Sequence, residues 1–151
     1  MNLKELVGSG EKIGLLTLPF LIIGLILNIM IPAFFQVGGP SIVLKVISMI
    51  LLIPGLTIWI WSVVLLLTKV PQKKLITTGP YSLVKHPLYT GVAFLVLPWL
   101  GFLFNTWLGV VIGIVLYIGS RMFSPAEEET LSKSFGASWD EYCHQVKIPW
   151  L

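Results

Sequence analysis

The 151-residue chain is 56% hydrophobic and only 11% charged, with ten Lys and Arg against seven Asp and Glu. A soluble domain of this size carries roughly 25% charged residues, so the composition excludes a water-exposed surface and makes lipid the solvent. The net charge of +3 reflects membrane orientation rather than nucleic-acid binding. A single cysteine, Cys143, excludes an internal disulfide and a thiolate metal cluster.

Taken in chain order, the leader MNLKELVGSGEK mixes acids and bases. The apolar run after it, residues 13–35, is longer than the ~7–15 residues of a signal-peptide core. It reads as a first span. A second span covers about residues 42–67 and holds one charge, Lys45, near its start. The uncharged stretch from Pro87 to Ser120 is too long for one crossing, because about 20 residues suffice for a ~30 Å hydrocarbon core. Asn105-Thr106 is its most polar point, and it divides there into spans of about 87–104 and 107–123. The expected fold is therefore all-α and polytopic: one membrane-embedded domain over residues 1–151, with four spans and a helical tail, 124–151. No repeat, low-complexity tract or linker suggests a second domain.

The charges orient this arrangement. Lys4, Lys12, Lys69, Lys73, Lys74, Lys85, Arg121, Lys133 and Lys147 all fall at the termini or between spans two and three. The loop at 36–41 and the turn at Asn105 carry none. By the positive-inside rule both termini and the central loop are cytoplasmic, in a plasma (inner) membrane. Lys45 lies close enough to the far interface to snorkel.

Two cytoplasmic segments are richer than topology requires. In GPYSLVKHPLYTG, residues 79–91, Gly79-Pro80 marks a turn. Pro87 suits the first position of a helix, where its missing N–H costs nothing, with His86 just before it. The amides of Leu88, Tyr89 and Thr90 are then free at a helix N-terminus, a seat for a carboxylate or phosphate. Gly91, one turn in, permits close approach of a ligand or helix. In the tail, Ser124-Pro125-Ala126-Glu127 and Ser138-Trp139-Asp140-Glu141 both read as capping boxes. Phe135-Gly136 stops the first of the two helices. Glu127, Leu131, Phe135 and Trp139 fall on one face, so the tail is expected to fold as amphipathic helices onto the ends of the spans.

Each feature alone has a plainer explanation. Glu127 is a capping residue, Tyr81 and Tyr89 are interfacial anchors, and the lysines set topology. Their convergence on one side of the membrane favours a site. A small transporter or a structural subunit is the alternative. Transporters place ionisable residues within the bilayer, whereas spans one and three have none and span four has only Arg121, at its cytoplasmic end.

The combination Gly79-x-Tyr81, Lys85-His86-Pro87-x-Tyr89-x-Gly91, then Glu127-Glu128, Leu131, Phe135-Gly136 and Tyr142, resembles the isoprenylcysteine carboxyl methyltransferase and phospholipid methyltransferase superfamily. The similarity covers the last half of the chain, from Lys73 onward. It implies an integral membrane enzyme using S-adenosylmethionine, with membrane lipids around it and a lipophilic methyl acceptor as its partner. It also implies that Lys73, Lys74, Leu75, Ile76, Tyr81, Lys85, His86, Pro87, Leu88, Tyr89 and Gly91 form the cofactor site, closed by Glu127 and Glu128. Methyl transfer from a sulfonium is an in-line displacement, in which alignment matters more than acid–base work. Many relatives carry an arginine four residues before the first Glu of the pair. Here that position is Phe123, and Arg121, six residues before Glu127, becomes the candidate for orienting the acceptor.

Overall fold

A computed structural model describes residues 8–151; Lys4, one of the charges used to orient the chain, lies outside them. Among the described residues all the regular elements are helical. They are α1 (Gly8–Met30), α2 (Pro32–Phe35), α3 (Ser41–Lys69), α4 (Pro87–Leu103), α5 (Leu108–Phe135) and α6 (Ala137–Gln145). A 3₁₀ turn at Gly79–Ser82 precedes α4. Helices α1, α3 and α5 are long and apolar enough to cross a membrane. Helix α4 is apolar but shorter, and it spans roughly 25 Å at 1.5 Å per residue.

The division at Asn105 is as the sequence suggested. Helix α4 ends at Leu103 and α5 begins at Leu108, with Asn105 in the left-handed region at φ 53°. Asparagine tolerates that region because its short side chain hydrogen-bonds locally. Here the Asn105 side-chain oxygen accepts from the Gly38 amide at 3.0 Å, and the Trp107 amide donates to the Phe35 carbonyl at 2.8 Å. The Thr106 hydroxyl donates to Asn28 Oδ1 at 2.7 Å. These bonds tie the two charge-free loops into one cap across that end of the bundle.

In the bundle, α5 packs on α1 and α4, and α4 packs on α3. Apolar burial gives little drive between helices in lipid, so small residues that admit close backbone contact matter more. A Cβ on Gly109 would lie 2.1 Å from the Leu97 carbonyl oxygen, and one on Gly113 would lie 2.1 Å from that of Ala93. Helices α4 and α5 thus meet backbone to backbone. Beside this contact α4 widens into a π segment at Val92–Val96.

The structure corrects two boundaries. The helix expected to end at residue 123 does not, because α5 continues through Pro125 to Phe135. An interior proline loses its own N–H bond and crowds the carbonyl four residues back, but the helix runs on past Pro125, and the Ala-Glu-Glu-Glu after it suits continued helix as well as a new one. Ser124 is accordingly a buried mid-helix residue, not a cap. The second proposed cap, Ser138, lies inside α6, whose N-cap is Gly136 at φ 51°. The stop at Phe135-Gly136 and the packed face of the tail stand. Trp139, Tyr142 and Val146 form a small core with Leu75, Leu131, Phe135 and Cys143.

Candidate active site

Three stretches of chain converge at the end of the bundle that carries the 70–86 connection. After α3, Lys69 and Val70 carbonyls accept from the amides of Lys74 and Lys73, at 3.2 and 2.9 Å, and reverse the chain. The segment 74–76 then runs beneath α6. At Gly79, φ is +64° and a Cβ would lie 2.8 Å from the Trp61 ring, so glycine is required to pack this turn on α3. The turn delivers Tyr81, and His86 caps α4 with Pro87 at its first position. From the other side, α5 brings Glu127 and Leu131, and α6 folds Trp139 and Tyr142 over the top.

Together these elements enclose a cavity of about 370 Å³. It is lined by Lys74, Leu75, Ile76, Tyr81, Lys85, His86, Leu88, Tyr89 and Glu127, all of which the sequence had placed in the site. The remaining lining comes from Gly10, Leu66, Val70, Leu131, Phe135, Trp139 and Tyr142. Of these, Leu131, Phe135 and Trp139 were legible as one face of the tail. Leu66, Val70 and Gly10 were not, because nothing in an apolar helix marks which residue faces a cavity.

The polar groups are organised around two adjacent glutamates with different partners. Glu128 accepts from Lys85 Nζ at 2.8 Å and lies 3.1 Å from His86 Nε2. The Lys85 and His86 side chains are 16% and 10% exposed, so this is a shielded pair rather than a surface one. Glu127 instead accepts from the hydroxyl of Ser9, at the start of α1. The rings of His86 and Tyr89 lie 6.1 Å apart, and those of Trp139 and Tyr142 lie 5.4 Å apart. Burial, and then the Glu127 carboxylate, push the Tyr81 phenol up from its ordinary pKa. Burial does the same to Tyr142, which donates to the Tyr81 carbonyl at 2.8 Å. Both phenols therefore stay neutral donors across the physiological range.

Five expected site residues lie elsewhere. Glu128 does not line the cavity, since its oxygens face Lys85 and His86. Lys73 is exposed in the turn after α3 at φ 53°. Pro87 and Gly91 are buried on the opposite face of α4, where a Cβ on Gly91 would lie 3.2 Å from Ile58. Arg121 is exposed on α5 and does not line the cavity. The expected row of free amides is also shorter, because the Thr90 amide donates to the His86 carbonyl at 3.1 Å.

No curated protein and no solved structure matches the chain. The model of the isoprenylcysteine carboxyl methyltransferase family matches residues 41–133, from the start of α3 to the last turn of α5. That range holds Lys74 to Tyr89 and both glutamates, and omits α1 and α6. An all-helical apolar bundle, a cavity built on Lys85-His86-Pro87-x-Tyr89 and Glu127, and a family match over more than half the chain agree, and the chain belongs to the isoprenylcysteine carboxyl methyltransferase family.

Proposed function

We propose that the protein is an S-adenosylmethionine-dependent methyltransferase acting on a lipophilic or membrane-associated acceptor. The acceptor class is an isoprenylcysteine carboxylate-like group, a phospholipid amine or a small thiol. The observation that carries the reading is the meeting of residues 74–76, 81–89, 127–131 and 135–142 around one cavity. Its volume falls within the roughly 300–1,000 Å³ typical of small-molecule sites.

The donor set fits the cofactor. S-adenosylmethionine, when bound, supplies an activated methyl group. Glu127, which accepts from the Ser9 hydroxyl, keeps acceptor capacity for an ammonium or ribose hydroxyl. Tyr81 and Ile76 offer a flat, apolar wall of the kind that stacks on an adenine. Lys85 and His86 also line the cavity but are held by Glu128, which leaves Lys74 as the lining lysine for a carboxylate. Leu66, Val70, Leu88 and Leu131 make much of the wall apolar, and polar contacts beside low-dielectric surroundings are stronger.

In this reading α4 pairs with α5 as a fourth crossing. Both termini and the cavity then face the cytoplasm, the orientation that the lysine distribution favours. The water-soluble cofactor enters from that side, and the acceptor enters laterally from the bilayer.

Calorimetric titration of S-adenosylhomocysteine into detergent-purified protein tests the proposal, beside His86→Ala and Glu127→Ala. Saturable binding that both substitutions abolish without unfolding supports it. Failure of the intact protein to bind, in detergent and again in lipid nanodiscs, removes it.

A further inference from the structure

The family match begins at residue 41, yet the cavity does not. Helix α1 reaches it from outside the matched segment with two consecutive residues: Gly10 lines the wall, and the Ser9 hydroxyl donates to Glu127. Ser9 and Glu127 are 118 positions apart in the chain, and Ser9 is only 6% exposed. We infer that Ser9 is the positioning residue for Glu127, so that the first helix is a working part of the cofactor site and not only a membrane anchor. The inference rests on the cofactor reading above.

The argument is one of orientation. A glutamate on a helix has three rotatable side-chain bonds, and among the described residues Glu127 forms no ion pair, although His86 lines the same cavity. Its neighbour Glu128 is held by two basic groups. Left free, Glu127 would lose rotamer entropy on meeting a ligand, and such a loss weakens binding. The Ser9 hydroxyl occupies one carboxylate oxygen and leaves the other for the ligand. Helix α1 can carry this contact because it packs along α5, with Gly24 against Leu108 and Gly119 against Leu16. The register between the two helices places Ser9 beside Glu127.

The test is S-adenosylhomocysteine binding to the full chain in nanodiscs, for Ser9→Ala, Ser9→Thr, Glu127→Gln and the Ser9→Ala/Glu127→Gln double variant. Loss of a hydrogen bond to a charged group predicts roughly tenfold weaker binding in Ser9→Ala. Ser9→Thr, which keeps the hydroxyl, restores the affinity. In the Glu127→Gln background Ser9→Ala adds little, as expected of two residues acting as a unit. Unchanged affinity in Ser9→Ala overturns the inference, and so does a full additive loss in the double variant. If the intact protein does not bind, the cofactor reading fails and this inference with it. Binding by the intact protein that is indifferent to Ser9 rejects the inference alone.

Discussion

The hydroxyl of Tyr142 donates to the backbone carbonyl of Tyr81 at 2.8 Å, across 61 residues of sequence. This one bond fastens α6, the roof of the cavity, to the turn that forms its wall. Two backbone bonds extend the seam, from the Lys147 amide to the Ser82 carbonyl and from the Ile148 amide to that of Leu83. Tyr142→Phe keeps the ring in its small core and removes only the donor. The expected cost is about 1 kcal/mol of stability, with a several-fold loss of S-adenosylhomocysteine affinity, read by thermal unfolding and calorimetry on the same sample. Unchanged values for both would show that the ring alone holds the roof.

The glutamates should separate under substitution. Glu128→Ala leaves Lys85 and His86 shielded without their shared partner, a loss of about 1.5–3 kcal/mol for hydrogen bonds to charged groups. Glu129→Ala removes only an exposed pair with Lys133, and such pairs contribute little. Chemical denaturation of the two variants in one detergent should place Glu128→Ala well below Glu129→Ala. Equal stabilities would mean that the Lys85–Glu128–His86 cluster is solvated.

Arg121 supplies a negative prediction for the cofactor. Because its side chain is exposed and absent from the cavity lining, Arg121→Ala should leave S-adenosylhomocysteine affinity unchanged within about twofold. If Arg121 orients the acceptor, turnover falls while that affinity holds. A parallel fall in both would bring the arginine into the cofactor site.

Glycines divide by what their missing side chains would strike. Gly113→Ala drives a Cβ into the Ala93 carbonyl and forces α4 and α5 apart, an overpacking cost of about 1–3 kcal/mol or more. Gly14→Ala meets nothing within 4 Å and gains helix propensity. Melting of the two variants should therefore move in opposite directions. A tolerant Gly113→Ala would refute the backbone-to-backbone contact.

Cys143 reports on the tail through pH. Burial raises its thiol above the ordinary value, so less of it is thiolate at neutral pH, and the thiolate is the reactive form. Maleimide labelling of the folded protein should be slower at pH 7 than that of the denatured chain and should rise at higher pH. A folded-state profile at or below that of the denatured chain would contradict the packing of α6.

How far the sequence reached depended on how local each cause was. The apolar runs, the turn at Asn105, the stop at Gly136 and Pro87 at the head of α4 were all legible, because length, polarity and backbone restriction act within a few residues. Nine cavity residues, Lys74 to Tyr89 and Glu127, were legible through motif and sidedness. The end of α5 was misjudged, since Ser-Pro-x-Glu can start a helix or continue one, and only the surrounding packing selects between them. The parting of the two glutamates was equally hidden. They are adjacent in sequence, but their helix rotates about 100° per residue. One therefore meets Lys85 and His86 while the other faces the cavity and Ser9. Composition and periodicity by themselves determined that this chain lives in lipid as a helical bundle with its polar chemistry at one end. Which polar groups meet was decided by the tertiary structure alone, because the register of α1, α4 and α6 on α5 is a property of helix contacts that no local stretch of sequence encodes.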